Sequence, residues 1–176
     1  MPARAVLRDV RDLGLAVPAG VTVQLRSLTA MQRSIPSLPD EIHGITRGRF
    51  VDSRVVPGSL VVTIRAGLPL VHFRSCLAHE YTHVAMVAAG AVSIGAAIEE
   101  GLAEYVRWSY LRQCDASPAA LRIADAMFQR RHDPYGEGFR LISRTVEGEG
   151  FPRVWSQIIA GKFTIARSTN RNERES

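Results

Sequence analysis

The chain has 176 residues, of which 46% are hydrophobic and 22% are charged. This length favours one globular domain, and the composition argues against a disordered chain. Two cysteines are too few for a disulfide-rich scaffold or a four-cysteine zinc site. The longest uncharged stretch near the middle, Val84–Ile98, is too short to span a bilayer. Asp9 and Asp12 stand where a secretory signal needs an apolar run, so we expect a cytoplasmic protein without a membrane partner.

The net charge of +5 raises the question of nucleic-acid binding. Lys162 is the only lysine, so almost all of the positive charge comes from arginine. Acidic residues outnumber basic ones in the central segment 76–115, between two basic flanks. No basic run alternates with aromatic residues, as a platform for single-stranded nucleic acid requires. We therefore do not expect nucleic acid as a partner.

The first third of the chain contains the predicted strands. An amphipathic helix is expected near the amino terminus, within residues 1–16. Alternation predicts a strand over Val21–Leu25, and β-branched residues predict a firm strand over residues 60–66. Residues 34–58 are rich in Pro, Gly and Ser, so we expect loops there, with a short strand near Gly48–Val51.

The pattern becomes helical after Pro69. Ser117 followed by Pro118 is a strong helix start, with Ser117 as the N-cap residue. The predicted helices cover residues 72–89, 95–113, 118 to about 131, 135–146 and 152–160. Residues 164–176 are expected to form a polar tail. These elements predict one α+β domain over residues 1–163, with a small mixed sheet first and a mainly helical remainder.

The segment His79-Glu80-Tyr81-Thr82-His83 carries the strongest chemical signal. On a helix, residues four apart share a face, so both histidines can bind one zinc ion. Glu80 projects roughly 100° away from His79, where it can act as a general base toward a water activated by the metal. The alternative is a charged helix face with two surface histidines. Apolar residues on both sides argue for a buried helix, so we expect one zinc ion per chain.

A third metal ligand is expected on the next predicted helix. If the two helices pack antiparallel, Glu99, Glu100 and Glu104 are all candidates. Glu100 and Glu104 share a helix face, so one can bind the metal while the other holds a ligand histidine. The alternative is that all three are solvated helix charges.

A HExxH motif followed by a glutamate on the next helix resembles the gluzincins, the thermolysin-like and aminopeptidase-like zinc peptidases. Glu99-Glu100-Gly101-Leu102-Ala103 is similar to the aminopeptidase pattern Asn-Glu-Gly-aromatic-Ala, whose Glu binds the metal. This correspondence selects Glu100 as the third ligand, with Glu99 in place of the usual Asn. The resemblance also implies a zincin-like fold.

A closer resemblance extends from about Val17 to Ile159. The matching segments are Ile64–Pro69, Leu77–His83, Glu99–Gly101 and Tyr135–Arg140. Together they are similar to the catalytic region of the plant "Da-one" peptidases, which are LIM-domain proteins that ubiquitin activates and that limit organ growth. The LIM and ubiquitin-interacting segments have no counterpart in this sequence, so the resemblance implies a stand-alone catalytic module.

The resemblance implies roles for residues outside the zinc motif. In gluzincins, the strand before the zinc helix forms the sheet edge that pairs with substrate backbone. An edge strand at 60–66 would place Val62 and Ile64 beside the substrate, and an ordinary core strand is the alternative. Gluzincins often use a later Tyr or His to stabilise the oxyanion, so Tyr135 and His132 are candidates. A turn tyrosine that packs its ring is the alternative for Tyr135.

These patterns predict a zinc-dependent endopeptidase that acts on protein or peptide substrates, with Glu80 as general base. The catalytic segments fill nearly the whole chain, so substrate selection is expected to rest either on the cleft or on a separate targeting partner. Two other functions stay open: a metal-containing regulatory or binding protein with little hydrolytic activity, and a basic nucleic-acid-binding domain with a structural zinc.

Overall fold

The structure is a computed structural model that describes residues 2–52, 54–91, 94–129 and 134–163. It confirms the α+β class, with a small mixed sheet early in the chain and a mostly helical remainder. The strands are β1 Thr22–Arg26, β2 Gly44–Arg47, β3 Phe50–Val51, β4 Arg54–Val55 and β5 Val61–Arg65. The α-helices are α1 Pro2–Asp12, α2 Leu28–Ser34, α3 Leu70–Ala88, α4 Ala96–Tyr110, α5 Pro118–Gln129, α6 Pro134–Glu149 and α7 Phe151–Ile159.

The sequence patterns located the long helices well and the region before β5 poorly. Helices α3 and α4 lie close to the predicted ranges 72–89 and 95–113, and a π-helical turn over Leu111–Asp115 continues α4. Helix α2 was not predicted, although Ser27 caps it by accepting a hydrogen bond from the Ala30 N–H at 3.2 Å. Strand β2 lies within the segment that was expected to be loops.

Strand β5 is the central strand of the three-stranded sheet, whose order is β1-β5-β2. β1 pairs with it in parallel and β2 pairs with it antiparallel, so both of its hydrogen-bonding sides are occupied. Val62 and Ile64 are completely buried. The expectation that residues 60–66 form the edge that binds substrate was therefore wrong. Along β5, Val62 and Ile64 face the core, whereas Val61, Thr63 and Arg65 lie on the other face.

Strand β2 lies at an edge of this sheet. The Arg65 N–H donates to the His43 carbonyl at 2.8 Å. This bond shows which residues of β2 direct their backbone groups toward β5. In an antiparallel ladder, the N–H and C=O of one residue point to the same side, and the side alternates along the strand. The backbone groups of Gly44 and Thr46 therefore point away from β5, toward the open edge.

Helix α3 is buried on nearly all sides. Its apolar residues from Cys76 to Met86 pack in one hydrophobic cluster with side chains from α1, β5, α4, α6 and α7. This part of the helix also brings the polar side chains of Glu80 and Thr82 into the interior, where each needs a partner. None of the helices within the described ranges is long and apolar enough to cross a membrane.

Helices α4 and α6 approach each other closely at two glycines. A Cβ atom on Gly101 would overlap the backbone of Gly138, and a Cβ atom on Gly138 would overlap the carbonyl oxygen of Ala97. Any side chain at either position would force the helices apart. This crossing holds α4, and with it the carboxylates of α4, in position.

We expect Gly138→Ala to lower the free energy of unfolding by about 1–3 kcal/mol or more, because backbone would have to move. The matched control is Gly148→Ala on the same helix, where an added Cβ meets nothing within 4 Å. Its stability should stay unchanged or rise by up to about 1 kcal/mol, from helix propensity. Urea denaturation measures both changes. Equal stabilities for the two variants would contradict the close crossing.

Candidate metal centre

Helices α3 and α4 bring two histidines and a glutamate to one point. The Nε2 atoms of His79 and His83 lie 3.1 Å apart. Glu100 Oε2 lies 3.3 Å from the first of these nitrogens and 3.7 Å from the second. The three side chains are partly buried and could hold a metal ion. Within the described residues, this group contains Glu100 and not Glu99.

The donor atoms of this group fit a metal ion. Two imidazole nitrogens and one carboxylate oxygen are ligands that zinc and similar ions accept. Ligand atoms at about 2.0–2.2 Å from a tetrahedral zinc lie roughly 3.3 Å from one another, and the observed separations are close to this value. Glu100 Oε2 is also buried without an aligned hydrogen bond. A cation between the three atoms would satisfy that oxygen.

The charges of the group depend on one another. Burial alone would lower the pKa of His79, but its contacts with Glu100 and Glu104 outweigh this effect and raise the pKa to about 9. Burial opposes the ionisation of both carboxyls, but contacts with cations outweigh it and lower the pKa of each carboxyl to about 2. For Glu100 these contacts are with His79 and His83, and for Glu104 they are with His79 and Arg107. Without a metal, a proton on His79 therefore balances part of the carboxylate charge.

Glu104 lies behind His79, on the side away from the metal group. Its Oε1 is 3.0 Å from His79 Nδ1 and 3.2 Å from Arg107 Nη1. The Nδ1 contact is close in distance but its N–H is not aligned on the oxygen, so it is a charge contact and not a well-formed hydrogen bond. A carboxylate at Nδ1 favours the tautomer that leaves Nε2 free for a metal.

Glu80 lies outside the group of three metal ligands and contacts strand β2. The residue is 5% exposed, and its Oε2 accepts a hydrogen bond from the Thr46 hydroxyl at 2.7 Å. Gly44 lies so close that a Cβ atom there would fall within 3 Å of three atoms of Glu80. The absence of a side chain at Gly44 thus lets the carboxylate lie between β2 and α3.

A cavity of about 440 Å³ opens beside these groups. His79 and Glu80 form part of its wall, and Glu104 and Arg107 form another part. The segment leading into β2 and the first half of α3, including Cys76, complete it. Of the three candidate ligands, His79 lines the cavity, so a molecule from solution would meet Glu80 and His79 there.

The other predicted residues lie elsewhere. Val62 and Ile64 point into the core and not toward the cavity. His132 lies outside the described residues, as does the side chain of Tyr135, whose backbone belongs to the first turn of α6. The roles that the resemblance implies for these two residues stay predictions.

Sequence reasoning missed three residues that surround the site: Gly44, Thr46 and Arg107. Arg107 had a usable signal, because it follows Glu104 by three positions and residues at that spacing meet on a helix. Gly44 and Thr46 had none, since they lie in a segment whose composition is typical of loops.

Compared with known protein families, curated proteins and solved structures, the chain matches none of them. The function proposed below therefore rests mainly on the geometry of the metal group and of the cavity beside it.

We expect the protein to bind about one zinc ion per chain, because three donors converge on one point. His79→Ala and Glu100→Ala should lose most of this affinity. Glu104→Ala should weaken it by about 10–100-fold, because that side chain only supports His79. Zinc titration with a competing chelator measures the affinities.

Glu99→Ala is the matched control, since it removes a neighbouring carboxylate that lies outside the group. Its affinity should equal that of the unmodified chain. Loss of zinc in Glu99→Ala together with its retention in Glu100→Ala would contradict the ligand assignment.

Proposed function

We propose that the protein is a zinc-dependent peptidase. The observation that carries this proposal is a buried carboxylate, Glu80, held beside a three-ligand metal group at the wall of an open cavity. A zinc ion held by His79, His83 and Glu100 would acidify a water and polarise a carbonyl oxygen, which are two effects that peptide hydrolysis requires. The resemblance of the HExxH segment to gluzincins supports the same function.

The ligand set favours zinc in a catalytic site. Catalytic zinc sites commonly have three protein ligands, including the two-histidine, one-glutamate set, and keep one position open. Structural zinc sites have four protein ligands, whereas the described residues bring three together. A nucleic-acid-binding domain with a structural zinc is therefore the weaker candidate.

Glu80 is suited to act as the general base. Its Oε2 accepts one hydrogen bond from the Thr46 hydroxyl, and the carboxylate keeps further lone pairs that can accept a proton from water. The same carboxyl group can then deliver that proton to the leaving amine, which regenerates the carboxylate for the next turnover. Thr46 fixes the rotamer of Glu80 and so positions it for both transfers.

The edge of β2 is suited to bind an extended peptide. The outward backbone groups belong to Gly44 and Thr46, the residues that also contact Glu80. A peptide that adds to this edge as a further strand would pass directly along the cavity. Main-chain pairing selects little for sequence, so we propose flexible segments of proteins as substrates and a separate partner for targeting.

Glu80→Gln tests the role of the base. The amide keeps the size of the side chain but cannot accept the proton, so kcat should fall by about 10²–10⁴-fold. Bound zinc should be unchanged, because Glu80 is not a ligand. Cleavage of an unfolded model protein and zinc content are measured on the same sample.

Glu99→Gln serves as the matched control and should retain full activity. Equal activity of Glu80→Gln and the unmodified enzyme would contradict the proposal. Full zinc binding with no hydrolysis of any unfolded protein by the unmodified chain would favour a metal-containing binding protein instead.

Backbone methylation of the substrate tests pairing with β2. Methylating an amide that pairs with the strand should lower kcat/KM by about tenfold, because a hydrogen bond is lost and a donor is blocked. Methylating the next amide, which points away from β2, should have little effect. In a set of peptides methylated at successive positions, the decrease in kcat/KM should therefore alternate between large and small from one position to the next. A uniform effect along the peptide would count against strand pairing.

A further inference from the structure

A second cavity, of about 500 Å³, lies between α4, α6 and the end of α5. It shares no lining residue with the cavity beside the metal group. Its volume falls in the range of sites that hold small molecules, about 300–1,000 Å³. Nothing in the proposed peptide hydrolysis uses it.

Aromatic rings form one side of this second cavity. Tyr105 and Trp108 of α4 have ring centroids 5.8 Å apart, and the Phe128 ring meets Trp108 edge-on at 5.6 Å. Phe128 remains 44% exposed, which is unusual for a phenylalanine inside such a cluster. These walls suit a flat apolar group that would stack or pack edge-on against them.

Two buried hydrogen-bond donors in the walls of the cavity have no partner within the described part of the chain. They are the indole Nε1 of Trp108 and the hydroxyl of Ser143, which both line the cavity. A buried indole N–H and a buried hydroxyl nearly always find an acceptor in native proteins. An acceptor group on a bound molecule would satisfy these two donors once the side chains that cover them move aside.

The lining also carries positive charge. Arg140 and Arg144 lie one helical turn apart on α6, and among the described residues that line the cavity the acidic one is Glu147. The ion pairs within the described part of the chain do not include Arg144. Its guanidinium can therefore meet an anion.

We propose that this cavity binds a carboxylate carried on an aromatic body. The ring packs against Tyr105, Trp108 and Phe128. The carboxylate accepts hydrogen bonds from Trp108 Nε1 and Ser143, and it pairs with Arg144. This chemistry occurs in small aromatic acids and at the carboxyl terminus of a peptide that ends in an aromatic residue. The site does not depend on the proposed peptidase function.

The test measures binding of 3-phenylpropionate to the zinc-loaded protein by ligand-observed NMR. The uncharged 3-phenylpropanamide, which has the same shape, should bind at least about tenfold more weakly, because it lacks the charge-assisted bonds. Arg144→Gln should weaken binding of the acid by about tenfold. Arg122→Gln, a matched change at an exposed site on α5 outside the cavity, should leave binding unchanged.

Two further variants locate the acid within the protein. Trp108→Phe keeps the ring and removes the N–H, so it should weaken binding without unfolding the chain. His79→Ala should retain binding, which separates this site from an acid bound at the metal group.

A pair of peptides, Gly-Gly-Phe and its amide, distinguishes the two sources of the ligand, small aromatic acids and peptide carboxyl termini. Tighter binding of the free-acid peptide than of 3-phenylpropionate assigns the site to peptide termini, and the reverse order assigns it to small acids.

Equal binding of the acid and the amide would overturn the proposal, as would equal effects of Arg144→Gln and Arg122→Gln. Absence of saturable binding at millimolar 3-phenylpropionate would overturn it as well. Loss of binding in His79→Ala with retention in Arg144→Gln would place the acid at the metal group and reject the second cavity. These readouts are independent of hydrolysis, so they leave the peptidase proposal untouched.

Discussion

The burial of opposite charges between α3 and α4 is the interaction on which the rest of this structure depends. Isolated ionised groups are too costly to bury, so His79, Glu100 and Glu104 are stable there only because each lies beside a group of opposite charge. Arg107 adds a second cation beside Glu104. Removing one member would leave the others buried without compensation, and a metal ion at the three donor atoms would replace the proton on His79 as the central positive charge.

The neighbouring elements keep this arrangement in place. Contact between Gly101 and Gly138 packs α4 against α6. This packing holds the carboxylates of α4 in position beside the histidines of α3. On the opposite side, Gly44 and Thr46 of β2 hold Glu80 near the metal group without letting it become a ligand. Four elements, α3, α4, α6 and β2, thus position the candidate metal group and the buried Glu80 carboxylate.

Helix α4 connects two quite different environments. The side that carries Glu100 and Glu104 faces the metal group, whereas Tyr105 and Trp108 line the second cavity. A molecule bound in that cavity would contact the same helix that carries the third ligand. The candidate metal group and the second cavity therefore share helix α4, and each can be tested alone.

The sequence by itself determined the parts of the site that depend on local spacing. Residues four apart share a helix face, so the positions of His79 and His83, and of Glu100 and Glu104, already predicted two pairs of inward-facing side chains. Helical periodicity placed α3 and α4 for the same reason. Only the tertiary structure decided which strand lies at the sheet edge. A β-branched segment such as residues 60–66 is compatible with an edge or a centre, and its partners come from distant parts of the chain. Gly44 and Thr46 gain their importance from the approach of β2 to α3, a long-range contact that no local pattern encodes.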